Sequence, residues 1–118
     1  MEWMIGRSVG AQPLDQAFFA DLIANGITSV ELSMPQEKYD TFDYAAIRRW
    51  AEDAGVRINS FHLPFYPGHW LDLSTPDEVK QAETLSELKR MLDYAATAGA
   101  RIAVIHPSGE PYADEERP

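Results

Sequence analysis

The sequence predicts an α/β fold with a parallel sheet, because one short pattern occurs three times within its 118 residues. In each copy, a helix-like segment ends at a glycine and is followed by a strand-like segment. The three glycines are Gly26, Gly55 and Gly99. Glycine suits the left-handed residue at which many helices end, and the β-branched residues after it favour a strand. Helices and strands that alternate in this way form a parallel sheet.

Each segment before a glycine has apolar residues at a spacing of three or four, which is typical of a helix. These helices are predicted over residues 14–23, 44–54 and 79–95. The third has a clear start, since Thr75 can cap it and Glu78 can complete a capping box. Residues 3–8 predict the first strand. The predicted order is therefore four strands alternating with three helices.

The composition excludes several classes of function. Ten basic side chains against nineteen acidic ones give a net charge of −9, which would repel a nucleic acid or an anionic membrane. The absence of cysteine excludes disulfides, thiolate metal sites and thiol nucleophiles. No apolar run approaches the roughly 20 residues that span a bilayer, and the N-terminus shows no secretory signal. We therefore expect a cytoplasmic protein with no membrane partner and no nucleic-acid partner.

Polar residues are expected to share one face of the sheet. Side chains alternate across a strand, so the distance from the preceding glycine predicts the face on which each one lies. The residues five and seven positions after the glycines are Glu31, Ser33, Ser60, His62, Val104 and His106. The opposite face is apolar, as expected for a face covered by helices, except for Asn59, which this alternation does not explain. A curled sheet would thus carry a carboxylate, two hydroxyls and two imidazoles on its inner face.

His62 and His106 end their predicted strands, and the C-terminal ends of parallel strands are where ligands bind. Adjacent strands lie roughly 4.8 Å apart, so two imidazoles in these places could contact one ligand or one metal ion. A proline follows each histidine within two residues and favours extended backbone there. The alternative is that each histidine is only a hydrogen-bonded side chain at a strand end.

The other candidates have similar pairs of interpretations. Glu31 is a candidate acid, base or acceptor for a substrate hydroxyl, or else a solvated charge. Ser33 and Ser60 could bind sugar-like hydroxyls or simply pack. In the long connection after the third strand, Phe65 and Trp70 could stack on a sugar ring or only hold their own loop in place.

Four segments together resemble the xylose isomerase-like TIM-barrel superfamily, in the family's order and spacing. They read VEL at 30–32, SFHLPF at 60–65, LDLSTPD at 71–77 and AGARIAVIHP at 98–107. The superfamily includes sugar-phosphate isomerases and epimerases as well as repair enzymes of the endonuclease IV type. The resemblance implies a (β/α)8 barrel, of which residues 1–118 would be the N-terminal half, as a single truncated domain.

The resemblance also implies an activity in carbohydrate metabolism. A full barrel of this kind binds a divalent metal (Mn, Co, Mg or Zn) and isomerises or epimerises a sugar or sugar phosphate by proton transfer next to a carbonyl. Glu31 and His62 would be catalytic. The substrate would contact Ser33, Ser60, Phe65, Trp70 and His106. The isomerase branch takes its metal ligands from the four later strands, so this half alone is expected to be inactive and to bind little or no metal.

Two other functions stay open. In the endonuclease branch, histidines at the places of His62 and His106 bind zinc, so the chain could instead be related to a DNA-repair hydrolase. It could also be a non-catalytic half barrel that serves in assembly. Since both edges of a four-stranded sheet are open, two copies could form a homodimer that closes eight strands.

Overall fold

The computed structural model describes residues 5–64 and 71–106 and contains one sheet of four parallel strands in the order β1-β2-β3-β4. The strands are β1 (Gly6–Val9), β2 (Ser29–Leu32), β3 (Arg57–His62) and β4 (Ile102–Val104). The helices are α1 (Gln16–Ala24), α2 (Tyr44–Ala54) and α3 (Glu78–Thr97), and a 3₁₀ helix (Gln36–Thr41) follows β2. This alternation confirms the predicted half barrel.

The three glycines of the repeated pattern have the backbone conformation that the sequence predicts. Their φ angles are 76° at Gly26, 77° at Gly55 and 78° at Gly99, which lie in the left-handed region. Any other L-residue would be strained there, so glycine lets each helix end and the next strand begin.

Two predicted boundaries are wrong. Asp77, not Thr75, caps α3: its carboxylate accepts hydrogen bonds from the backbone N–H groups of Val79 and Lys80 at 3.0 and 3.2 Å. Thr75 lies two residues before this cap, and its hydroxyl oxygen accepts from the N–H of Asp77 at 3.3 Å. The first strand begins at Gly6 rather than at residue 3. Residues 3 and 4 lie outside the described part.

The hydrophobic core lies between the sheet and the helices. Val30, Leu32 and Phe61 face it and are fully buried. The ring of Phe61 contacts those of Tyr39 and Tyr44, with centroids 5.8 and 5.6 Å apart. Within the part of the chain that the structure describes, no helix is both long enough and apolar enough to cross a bilayer.

An irregularity in β3 explains why Asn59 does not fit the predicted alternation. Val30 pairs with Ile58, but Glu31 pairs with Ser60, so β3 has one extra residue opposite β2. This β-bulge leaves Asn59 without a partner in β2 and resets the alternation of the strand. Ile58 can therefore face the core, while Ser60 keeps the register that pairs it with Glu31.

β1 and β2 continue into loops that lie very close together. A Cβ atom on Gly10 would lie 2.1 Å from the carbonyl oxygen of Ser33, which is backbone and cannot rotate away. Only glycine therefore allows this approach, at the same end of the sheet as the polar side chains.

We predict that Gly10→Ala lowers the free energy of unfolding by about 3 kcal/mol, because the loop must shift to admit the methyl group. Gly6→Ala is the control, since a Cβ there has no neighbour closer than 3.5 Å. It should change stability by no more than about 0.5 kcal/mol. Urea denaturation followed by circular dichroism measures both. Equal effects of the two substitutions would contradict the close approach.

Candidate functional site

The structure places the predicted polar residues on the face of the sheet that the helices do not cover. Glu31 lies on β2, Ser60 and His62 lie on β3, and His106 follows β4. Nearer the N-terminal ends of the strands, this face has an open cavity of about 230 Å³. It is lined by Gly6, Arg7, Ser8, Ser29, Val30, Glu31, Asn59 and Ser60.

The two histidines are in direct contact. Their Nε2 atoms are 3.1 Å apart, and the ring centroids are 5.0 Å apart. Nδ1 of His62 lies 2.9 Å from the carbonyl oxygen of Leu63, which can only accept, so Nδ1 carries a proton. A neutral His62 then presents the lone pair of Nε2, and His106 donates its Nε2–H to it. With both rings neutral, the contacts thus define one tautomer for each ring.

The histidines do not occupy equivalent positions, although equal distances from their glycines suggest that they do. His62 pairs with Val104, which puts His106 two residues further along. An offset of two residues keeps both side chains on the same face because the side-chain period of a strand is two. The imidazoles therefore meet by leaning toward each other.

Glu31 is held by hydroxyl groups from the strands on both sides. Ser60 donates to its Oε2 at 2.9 Å, and Ser8 lies 3.5 Å from its Oε1. Ser60 is buried and Glu31 is half-buried, so Oε2 has a short hydrogen bond from a buried hydroxyl, whereas Oε1 has only the longer contact with the exposed Ser8. The register places Glu31 level with Ser60, two residues below His62 and thus about 7 Å from it along the sheet.

The remaining predicted residues have different outcomes. Ser33 is half-buried just beyond β2, and its backbone N–H donates to the carbonyl of Val9 at 2.8 Å. No hydrogen bond joins its hydroxyl to the other site residues in the described part. Phe65 and Trp70 lie outside the described residues.

Sequence reasoning missed two residues that support the site. The sequence pattern predicts only that Ser8 lies in a strand, although its place opposite Glu31 follows from the register once β1 is known. Tyr39 donates its hydroxyl to the backbone carbonyl of His62 at 2.6 Å. Nothing in the pattern around Tyr39 indicates this contact, because it joins residues 23 positions apart.

The described residues do not form a complete metal site. Between residues 5–64 and 71–106, no three His, Cys, Asp or Glu side chains come together as metal ligands. His62 and His106 have Nε2 atoms 3.1 Å apart, close to the roughly 3.3 Å expected for two ligands of a tetrahedral zinc ion. They therefore fit two ligand positions, whereas a catalytic zinc normally takes three protein ligands.

The comparison with protein families agrees with the fold. The model of the xylose isomerase-like TIM barrel family matches residues 19–118. The chain belongs to this family. A crystal structure of D-psicose 3-epimerase in the presence of D-fructose has a similar fold, with a TM-score of 0.67 and 18% sequence identity. The match covers 95% of this chain and 40% of that epimerase, so the chain spans less than half of its length. No curated protein sequence matches significantly.

We predict that Ser60→Ala lowers the free energy of unfolding by about 1–2 kcal/mol, because it removes a buried donor to the Glu31 carboxylate. Ser8→Ala is the matched control, since Ser8 is exposed and more distant, and it should cost less than about 0.5 kcal/mol. Urea denaturation of both variants, alone and combined with Glu31→Gln, measures the coupling. Equal coupling of the two serines to Glu31 would contradict the geometry.

Proposed function

We propose that this chain forms half of the active site of a sugar or sugar-phosphate isomerase or epimerase, which acts by proton transfer next to a carbonyl. The observation that carries the proposal is the contact between the imidazoles of His62 and His106 at the strand ends. They lie above the Glu31 carboxylate, which Ser60 holds by a hydrogen bond. Membership of the xylose isomerase-like family supports the same reaction class.

Each site residue has a role that its chemistry allows. Glu31 has one carboxylate oxygen held by Ser60, so the other can accept a hydroxyl or move a proton at a carbon next to the carbonyl. His62 is the second acid–base group. When a substrate oxygen replaces Nε2 of His62 as the acceptor, the Nε2–H of His106 can donate to that oxygen and stabilise the negative charge that forms there. The hydroxyls of Ser33 and Ser60 suit a sugar.

The size of the site suits a short carbon chain. The distance of about 7 Å between the levels of Glu31 and His62 equals a few carbon–carbon bonds. A sugar lying along the strands could therefore contact both groups. We assign Phe65 and Trp70, by the family resemblance, to the wall that stacks on the sugar ring.

We propose that a divalent metal completes the site when the barrel is complete. Such an ion supplies Lewis-acid polarisation of the carbonyl. The described residues offer two imidazoles to a metal and no third ligand. We therefore assign His62 to acid–base catalysis and His106 to substrate binding in an isomerase. Both would bind metal only if the arrangement is that of the endonuclease branch.

The exposed apolar side chains support the interpretation of residues 1–118 as one half of a larger barrel. Most of those in the described part lie on α3 or at β4, along one edge of the sheet. They are Val79, Leu85, Leu92, Ile102 and Ile105. Ile102 is 53% exposed although it pairs with Ser60 of the inner strand. Another set of strands and helices would cover this edge.

We place the resulting enzyme in the cytoplasm.

The proposed function predicts saturable sugar binding at the imidazoles. We expect D-fructose or D-fructose 6-phosphate to shift the ring resonances of His62 and His106 in NMR spectra of histidine-labelled protein. Glu31→Gln should weaken this binding at least tenfold, because the carboxylate accepts from sugar hydroxyls. The matched control is Glu52→Gln, since Glu52 lies on α2 and pairs with Arg48. Whichever of the two sugars binds more tightly identifies the substrate class.

Three outcomes would contradict this proposal. Absence of saturable shifts with both sugars would favour a non-catalytic half barrel. Equal binding by the Glu31→Gln and Glu52→Gln variants would remove Glu31 from the site. Broadening of both histidine signals by micromolar Mn²⁺ would favour metal binding by the pair.

In D2O, we expect no deuterium incorporation next to the carbonyl by this half alone, and incorporation would overturn its assigned inactivity.

The open edges predict self-association when the chain is studied alone. We expect two copies to join β1 to β4 and to sediment at twice the 13.3 kDa mass of one chain. Ile102→Lys should weaken this association at least tenfold by placing a charge in the joined sheet. Ala45→Lys, on the exposed side of the central helix α2, is the control and should leave it unchanged. A folded monomer at all concentrations would contradict the pairing.

A further inference from the structure

Tyr39 has no place in the proposed reaction, yet it is one of the largest fully buried side chains in the molecule. It lies on the 3₁₀ helix between β2 and α2, and its ring contacts that of Phe61 in the core. A buried phenol needs a hydrogen-bond partner, and many backbone carbonyls could serve. The partner here is the carbonyl of His62, at 2.6 Å.

This hydrogen bond continues the sheet at a point where β2 has ended. The N–H of Leu63 donates to the carbonyl of Val104 at 2.9 Å, toward β4. The N–H and C=O of a trans peptide point in opposite directions, so the His62 carbonyl points toward the β2 side. β2 ends at Leu32, which pairs with Phe61. The Tyr39 hydroxyl thus replaces the next donor of the ladder.

The peptide group between His62 and Leu63 is therefore held on both sides, its carbonyl by Tyr39 and its N–H by Val104. The next carbonyl along, that of Leu63, accepts the Nδ1–H of the His62 ring at 2.9 Å. The direction of this carbonyl depends on the preceding peptide plane, which Tyr39 and Val104 hold. The orientation and tautomer of the imidazole consequently depend on the Tyr39 hydroxyl, which contacts the backbone of His62 and not its ring. Support of this kind is typical of functional histidines.

Tyr39 is itself firmly placed. The Tyr44 hydroxyl donates to the Tyr39 carbonyl at 2.7 Å. The neighbouring Asp40 accepts from the Tyr94 hydroxyl at 2.7 Å and also pairs with Arg90, which ties the 3₁₀ helix to α3. Desolvation by burial raises the pKa of Tyr39, so its hydroxyl keeps the proton that it donates.

We propose that Tyr39 is a positioning residue that holds the His62 imidazole in the Nδ1–H tautomer, with Nε2 directed at His106 and the substrate. The value of this arrangement for catalysis rests on the proposed function. The positioning itself rests only on the contacts of Tyr39, His62, Leu63 and Val104.

The test is Tyr39→Phe, which keeps the ring and removes the hydroxyl. Long-range ¹H–¹⁵N NMR spectra, recorded where the rings are neutral, report which nitrogen carries the proton. We expect a single Nδ1–H form of His62 in the wild type. In the variant we expect a mixture with a substantial Nε2–H population and a weakened contact between the two rings. Thr97→Val is the control, because it removes a hydroxyl that donates to a backbone carbonyl on α3, that of Asp93, rather than to the segment that carries Tyr39.

A structural role alone would give a different result. If Tyr39→Phe lowers the urea midpoint but keeps the wild-type tautomer, as we expect of Thr97→Val, the proposal is overturned. An Nε2–H form in the wild type would overturn it without any variant. Should Tyr39→Phe fail to fold, Asp40→Ala loosens the 3₁₀ helix but keeps Tyr39, and we expect a smaller tautomer shift in the same direction. An unchanged tautomer in that variant would then count against the proposal.

The two proposals can fail separately. A tautomer shift in Tyr39→Phe without sugar binding by the wild type would refute the sugar site and leave the positioning role intact. Sugar binding by the wild type with an unchanged tautomer in Tyr39→Phe would refute the positioning role and leave the sugar site intact.

Discussion

The arrangement of the site depends on the register between β2 and β3, and in particular on the extra residue at Asn59. Because the bulge resets the side-chain alternation, Ile58 and Phe61 can both be buried while Ser60 stays level with Glu31. In a regular strand, Ile58 would share a face with Ser60 and His62. A bulge next to a functional site is a common way to re-aim side chains without ending the strand.

A cluster of aromatic rings, formed by Tyr44, Tyr94 and Phe61, supports this arrangement from the core. Tyr44 stacks on Tyr94 with ring centroids 4.8 Å apart and also contacts Phe61, so one cluster joins α2, α3 and the sheet. At its outer end, the Tyr94 hydroxyl and the Arg90 guanidinium lower the pKa of Asp40. Asp40 is exposed, so this network contributes little to stability. Its effect is to hold the segment that carries Tyr39.

The uncovered face and the exposed edge have one common cause. A parallel sheet needs cover on both faces, and the helices between residues 5–64 and 71–106 cover only one. Ile102 and the apolar residues of α3 remain exposed in this half, whereas closure into a barrel would bury them. The polar groups on the inner face would then lie at the mouth of an enclosed interior, where hydrogen bonds are stronger than in water.

The sequence by itself determined the alternating order of elements, because left-handed glycines and apolar periodicity are local properties of the chain. It also determined that Glu31, Ser60, His62 and His106 share a face, since side-chain alternation is local too. Only the tertiary structure decided the two-residue offset between the histidines, the bulge at Asn59 and the contact from Tyr39. These depend on hydrogen bonds between segments far apart in the chain, and no local pattern of residues encodes such pairings.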